Sequence, residues 1–396
     1  MTDHADNYLL TVNCGSSSLK LGLYELAELR LKSSASINGI GTRLCQFKVS
    51  GSQAEETLDQ SADHANMAAA VGAAIHWLKS QLFTISAIGH RLVQGGPDHR
   101  APELIGDELL KQLDEFVYLA PNHLPDELGT VKSFRLAFPG IPHLACFDTA
   151  FHKDLPSYIK RYALPEAYQG NGLIKYGFHG LSYEYIMQKL TADGTNPASC
   201  KIIIAHLGNG ASMAAVLNGK CLDTTMGLSP IGGLVMATRS GDLDPGVILF
   251  LLKEYQLGVS ELDELLSKKS GMIAIAGTGD MEELLTNEAI DKKAAEAIQV
   301  FCYQAKKQIG ALAAAMGGLD ILVFTGGIGA NSPQIREHIC RDLNFFGIEL
   351  NQWANNKDQE HISLATSRVS VRALPTHEEL MIAQALRNVL TQSDKN

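Results

Sequence analysis

Two arginines stand in small-residue surroundings: Gly89-His90-Arg91 at the end of an apolar run, and Thr238-Arg239-Ser240-Gly241-Asp242 within a long Gly- and Ser-rich loop. The planar guanidinium fork matches a carboxylate or phosphate through two parallel hydrogen bonds, so Arg91 and Arg239 read as oxyanion ligands. His179, in Tyr176-Gly177-Phe178-His179-Gly180, lies between glycines rather than on a helix face, and His123 is flanked by Pro121 and Pro125. Either suits packing or surface exposure as well as chemistry, and neither sits in a metal-ligand spacing. Asp148 ends an apolar run. Acidic residues there serve magnesium and catalysis in α/β folds, and equally serve as turn caps. Glu378 opens the last predicted helix, where it answers the helix dipole or holds magnesium through water.

Two strand–turn–strand units carry small-residue tips about half a chain apart. Residues 8–25 run apolar, then Asn13-Cys14-Gly15-Ser16-Ser17-Ser18, then apolar; residues 201–225 run apolar, then His206-Leu207-Gly208-Asn209-Gly210-Ala211-Ser212, then apolar. Consecutive N–H groups in such turns form a concavity for anions, and serine hydroxyls add donors. One such tip is an ordinary hairpin. A similar pair, spaced like a duplication, suggests two loops gripping a polyphosphate between related domains. Thr325-Gly326-Gly327-Ile328-Gly329-Ala330-Asn331, between a strand and a helix, suits a backbone-lined nucleotide slot. It is neither a Walker A sequence nor a dinucleotide fingerprint.

The elements that must position these residues follow from periodicity. In the first half we expect the hairpin of 8–25, short antiparallel strands and loops over 31–63, helices over 64–81, 107–116 and 126–138, and strands over 85–93 and 143–147. Residues 120–125 should be a rigid loop. The second half repeats the pattern: the 201–225 hairpin, helices over 245–255 and 260–267, a long helix over 289–316, a strand over 321–325, a helix over 333–343 capped by Ser332, a strand over 369–374, and a closing helix over 376–390. Thr376 and Glu379 have capping-box spacing.

At 396 residues two domains are the natural expectation. A net charge of −10 argues against a nucleic-acid or anionic-membrane surface, though local arginines can still hold an anion. Seven scattered cysteines without a C-x-x-C fit a reduced cytoplasmic protein rather than a disulfide or zinc framework. The opening MTDHADN is polar and acidic, unlike a signal peptide, and the apolar runs are too short to span a bilayer.

Several longer segments resemble the acetate and propionate kinases, of the actin/hexokinase/Hsp70-like superfamily, from Leu9 to Ala385. They are VNCGSSSLK, GHRLVQGG, APNHLPDELG, FDTAFH, YGFHG, HLGNGAS, DTTMGLSPIGGLVMATRSGDLDPG, FTGGIGANS and PTHEEL, in family order. The resemblance implies an α/β fold of two duplicated RNase-H-like (actin-like ATPase) domains with an interdomain active-site cleft. The domains would be 1–150 plus 377–396, with the closing helix returning to the first domain, and 151–376, which binds nucleotide. It implies reversible transfer of a phosphoryl group between ATP and acetate or another short carboxylate, with magnesium (manganese as a substitute), in a homodimer.

Residue by residue, the resemblance places Asn13 at the phosphate and magnesium site, with Ser16 and Lys20 in the same phosphate segment. Arg91 and Arg239 would bind the carboxylate or acyl phosphate and stabilise the transferring group, with His179 sharing that task and His123 nearby. Asp148 would be the catalytic acidic residue near magnesium and Glu378 the metal ligand. His206, Leu207, Gly208, Asn209 and Gly210 would form the second phosphate loop. Asp280, Met281, Glu282, Gly327, Ile328, Gly329, Ala330 and Asn331 would meet the nucleotide. Val93, Asn122, Phe178 and Pro230 would line the acyl pocket. An acetate-like carboxylate, with a pKa near that of Glu (about 4.3), is ionised at neutral pH and needs no general base. What the site must supply is positive charge and alignment. Asp148 then reads as organising metal or arginine.

The chain departs from the family pattern in four places. Asn122 replaces an apolar residue, and Gly180-Leu181-Ser182-Tyr183 replaces Gly-Thr-Ser-His. Asp280-Met281-Glu282 replaces Asp-x-Arg, and Ala330 replaces Glu. The last two bear on the phosphoryl donor. A sugar or polyol kinase of the same superfold would need an aspartate base and a pocket of neutral and acidic side chains, which the two arginines disfavour. A non-catalytic ATP switch would need an interaction surface that nothing in the chain requires. Acetate, propionate and butyrate are not separable here, since one methylene is worth only about 1–3 kcal/mol in an apolar pocket.

Overall fold

The structure, a computed structural model, describes residues 7–51, 54–58, 65–81, 83–170 and 172–393. The polar N-terminal stretch and His64, the expected start of the first helix, lie outside the described residues. The chain divides into two compact units, Met1–Ala150 with His377–Asn396, and Phe151–Thr376.

The first unit holds eight strands: β1 (Asn7–Cys14), β2 (Ser18–Glu25), β3 (Leu31–Asn38), β4 (Gln46–Gly51), β5 (Ala54–Leu58), β6 (Thr84–Leu92), β7 (Glu103–Leu104) and β8 (His143–Phe147). Their order is β5-β4-β3-β2-β1-β6-β8-β7. The second unit holds β9 (Ile202–Leu207), β10 (Ala211–Leu217), β11 (Lys220–Thr224), β12 (Ile321–Thr325) and β13 (Ser370–Ala373), ordered β11-β10-β9-β12-β13. Each sheet contains the same motif. An antiparallel meander (β1-β2-β3; β9-β10-β11) is extended from its first strand by two parallel strands (β6 and β8; β12 and β13). This is the RNase-H-like arrangement found twice, as an actin-like fold requires.

Burial explains why these strands form where they do. β8 and β12 are buried along their whole length, as parallel strands covered on both faces should be. The helix Met67–Ser80 presents Met67, Ala70, Val71, Ala74 and Leu78 to β1–β3, at helical spacing, and Asn66 caps it by accepting from Ala69 N. The closing helix Glu378–Ser393 packs on β1 and β6 of the first unit. Gly89 of β6 makes room for it, since a Cβ there would meet Ile382 and Leu386.

Some expectations are corrected. The second hairpin is a three-stranded meander, because Asn218 and Gly219, both at positive φ, turn the chain back into β11. The loop expected over 120–125 yields to a helix at Leu124, because Pro125 sits in the first turn, where its missing N–H is not needed. The long helix begins at Lys292, where Asp291 caps it, and Met281–Asn287 is a separate helix. Ser332 does stand at the N-cap of Pro333–Cys340, but its side chain makes no capping bond. The Thr376–Glu379 capping box does not form. Thr376 Oγ1 has no partner among the described residues, and Glu379 Oε1 accepts from Asn13 instead. Among the described residues no helix is long and apolar enough to cross a membrane.

Candidate active site

In the first unit the register of three strands builds the site. Asn13 at the end of β1 lies directly across from Lys20 on β2 and from Arg91 on β6. Lys20 and Ser16 are exposed, whereas Asn13 is buried. Arg91 donates to Asp148 through Nε (3.1 Å to both oxygens) and Nη2 (2.5 Å to Oδ2). Its Nη1 donates to Asn13 Oδ1 at 3.3 Å, and Asn13 Nδ2 donates to Glu378 Oε2 and Glu379 Oε1, each at 3.2 Å. Glu378 Oε2 also stands 3.9 Å from Arg91 Nε. Burial works against the Arg91 charge, but Asp148 and Glu378 outweigh it and hold the guanidinium more firmly protonated than a free arginine. Asp148, 1% exposed, therefore orients a cation.

Asn13, Glu378 and Glu379 offer hard oxygens at the edge of this cluster, the donor chemistry that magnesium takes while keeping most of its waters. Among the described residues no group of three or more His, Cys, Asp or Glu could hold a metal by itself. The oxygens of Asn13, Glu378 and Glu379 fit a cation that takes its other ligands from water or substrate phosphate.

Two residues here were not assigned to the site from sequence. Glu379 was taken up by its helix-capping spacing. Glu127, buried in the helix Leu124–Ala137, accepts the Val93 amide at 2.9 Å. The signal for it was an acid at an otherwise apolar helical position, between Leu124 and Leu128. Val93 is buried, Asn122 is half-buried, and His123 stands at the N-cap of that helix without a side-chain capping bond.

In the second unit His179 takes a left-handed backbone conformation (φ 61°) at the N-cap of the helix Gly180–Ala192. Few non-glycine residues do so without a reason in their surroundings. Its ring stacks on His206, with centroids 4.3 Å apart. Each imidazole is held through Nδ1 by a buried serine at 2.8 Å: His179 by Ser212, the cross-strand neighbour of His206, and His206 by Ser182. The fully buried Tyr183 hydroxyl bonds Ser212 in turn, so the departure at this position adds a link behind His179. Arg239 donates through Nη1 to the Pro230 carbonyl at 3.1 Å. A Cβ placed on Gly210 would stand 3.3 Å from His179 Nε2 and 3.6 Å from Arg239 Nη1. The glycine thus keeps open a small space bordered by an imidazole edge, a guanidinium and a backbone turn, which suits a phosphoryl oxygen. Phe178 is fully buried beside it in sequence, and its carbonyl accepts from His152 Nε2 at 3.0 Å.

A cleft of about 680 Å³ lies in the same unit. Asn209, Asp280, Met281, Glu282, Gly327, Ile328 and Asn331 wall it, with Leu285, Thr286, Ser332 and Gln334, which the sequence did not suggest. The glycine-rich segment expected as a nucleotide slot is a short helical turn, Gly326–Asn331, closed by Asn331 Nδ2 on Gly327 O. Gly329 and Ala330 belong to the same turn. Their carbonyls accept from Arg336 Nη1 at 3.1 and 2.6 Å. Arg336, fully buried, was missed because nothing in the helical pattern of Pro333–Cys340 separates it from a solvated arginine. The charged residues on the cleft wall are Asp280 and Glu282. Asp280 Oδ1 is occupied by the amides of Glu282 and Glu283. Such a wall suits ribose hydroxyls or base amino groups better than phosphate.

A sequence model of the Acetokinase family matches residues 8–384. An acetate kinase of Bacteroides thetaiotaomicron is 39% identical, over 96% of this chain and 99% of that protein. Among solved structures, a Porphyromonas gingivalis acetate kinase is 36% identical with a TM-score of 0.85, covering 97% of this chain and 100% of that one. A propionate kinase from Francisella tularensis is 34% identical with a TM-score of 0.88, covering 96% of this chain and 98% of that one. With its duplicated fold and its arginine–carboxylate and imidazole–guanidinium clusters, the chain belongs to the acetokinase family.

Proposed function

We propose that the protein catalyses reversible phosphoryl transfer between ATP and a short carboxylate, with acetate giving acetyl phosphate and ADP. The observation that carries the reading is Arg91. It is a permanently charged group held by Asp148 and Asn13 at the end of a central strand, ready for an anionic acceptor. Its role is to bind the carboxylate and to offset its repulsion from the phosphoryl group. His179, fixed through Ser212, and Arg239 supply donors to the transferring oxygens. Magnesium, when bound, would neutralise phosphate charge, with Asn13 and Glu378 to hold it. The cleft walled by Asp280 and Glu282 takes the nucleoside end.

Propionate is the second reading, favoured by the similarity to the propionate kinase. A hydroxylamine trap for acyl phosphate, with magnesium and ATP, separates the two when acetate, propionate and butyrate are compared with glycerol. Strong hydroxamate from acetate is the expected result. GTP and pyrophosphate belong in the same assay because of Glu282. Slow ATP hydrolysis without hydroxamate from any donor would sink the reading and leave an ATP switch.

The reading includes a homodimer. The helix Pro245–Glu254 (PGVILFLLKE) buries none of its residues, and Leu249, Phe250, Tyr255 and Val259 are all more than half exposed. Exposed apolar side chains gathered on one segment mark an association surface, and a second copy of the same chain would cover them. Phe250→Glu should convert a dimer into a monomer by light scattering; a wild-type monomer would overturn the assignment. A cytoplasmic location belongs to the same reading, supported by seven free cysteines.

A further inference from the structure

The Glu127 carboxyl is not used by the chemistry above, yet it lies in the same charge cluster. It is 2% exposed. Oε2 accepts the Val93 amide, Oε1 has no hydrogen-bond partner, and no cation forms an ion pair with it among the described residues. The nearby cation, Arg91, is already committed to Asp148 by three hydrogen bonds. The groups that face Glu127 are Arg91 from β6, Asp148 after β8, Cys14 at the end of β1, and Asp126 on its own helix. Thr130, one turn along that helix, donates to Cys14 Sγ. Asp148 and Glu378 already exceed the single charge of Arg91, so a further buried carboxylate would find no counter-ion.

We propose that Glu127 is a positioning residue whose proton sets how strongly Arg91 attracts a carboxylate substrate. As the neutral acid it only tethers the chain at Val93, two residues beyond Arg91, so that the end of β6 is fixed through side chain and backbone together. As the carboxylate it draws on the Arg91 field and competes with Asp148 for the guanidinium. The switch is the loss of one carboxyl O–H proton to solvent and nothing else. Burial, with Asp148 and Asp126, pushes the Glu127 carboxyl up to about 8 against the opposing pull of Arg91 and the Val93 amide. The acid form is therefore the one present at neutral pH. The inference rests on the carboxylate-kinase reading and extends it to substrate affinity.

Two measurements test it, one without substrate. Infrared spectra of the ligand-free enzyme between pH 6.5 and 9.5 should show a protonated-carboxyl band that fades on the alkaline side and is missing in Glu127→Gln. Over the same range the wild-type KM for acetate should rise by roughly tenfold, the scale of one added charge beside the guanidinium, with a smaller change in kcat. Glu127→Gln, which can still accept the Val93 amide, should abolish that rise. Glu127→Ala, which cannot, should raise KM at every pH. The proposal fails if Glu127→Gln keeps the wild-type alkaline rise, or if the band is the same in both proteins. A band that titrates as expected in an enzyme that turns over no carboxylate would instead remove the kinase reading, and the proposed effect on substrate with it.

Discussion

Arg91→Ala should lower kcat/KM for the carboxylate by about 10²–10³-fold, the usual cost of deleting one preorganised donor to a developing oxyanion. The loss should fall on both kcat and KM, because the guanidinium is assigned to bind the acceptor and to stabilise transfer. The same substitution takes three hydrogen bonds from Asp148, which is 1% exposed. Removing one partner of a buried pair costs about 3–5 kcal/mol, so thermal unfolding must be followed alongside the kinetics. Arg91→Lys separates the two effects. It restores a charge but not the fork that spans Asp148 and Asn13, so it should recover stability more than rate. A folded Arg91→Ala enzyme with wild-type kcat/KM would remove Arg91 from the site.

Arg336→Ala should cost stability on the same scale as Arg91→Ala. The side chain is wholly buried and donates to Gly329 O, Ala330 O, Asn355 Oδ1, Asn355 O and Asp358 Oδ1. Burial lowers its pKa, against the pull of Asp358. Truncation leaves several acceptors without donors, most of them away from water, and a destabilisation of about 3–5 kcal/mol is expected. Arg336→Met should restore volume but not the carbonyl partners, so it should recover only part of the loss in denaturant titration. Because the same guanidinium holds the turn Gly326–Asn331 that walls the cleft, nucleotide KM should rise in any variant that still folds. Unchanged unfolding in both variants would refute the structural role.

Much of the fold was legible because each central element has one physical cause. β8 and β12 are short runs, apolar but for His143 and Thr325 and buried throughout, as a doubly covered parallel strand should be, and they appear at the residues expected. The glycines and serines of the two meander tips marked the turns. What escaped was decided by tertiary contact. Glu379 has the spacing of a capping partner, yet Asn13, from the other end of the chain, takes its carboxylate. Ser212 was legible only as a serine of the turn and Tyr183 only as a departure from the family pattern, and it is the pairing of β9 with β10 and the adjacent helix that set them behind His179. Arg336 reads as a surface residue until the carbonyls of the preceding turn are seen around it. Sequence pattern reports which face is buried. It does not report which polar atoms meet there.

The closing helix Glu378–Ser393 also sets a timetable. During synthesis β1, β6 and β8 emerge early, but the helix that covers β1 and β6 and supplies Glu378 follows more than two hundred residues later, after all of Phe151–Thr376. At about 5–20 residues per second the ribosome needs roughly 10–45 s for that stretch. For that time the nascent first unit leaves the seat of Ile382 and Leu386 on Gly89 uncovered. The second unit, continuous in sequence, has everything it needs before then. Maturation of the nascent enzyme therefore runs from the second unit to the first, and the carboxylates beside Asn13 arrive last.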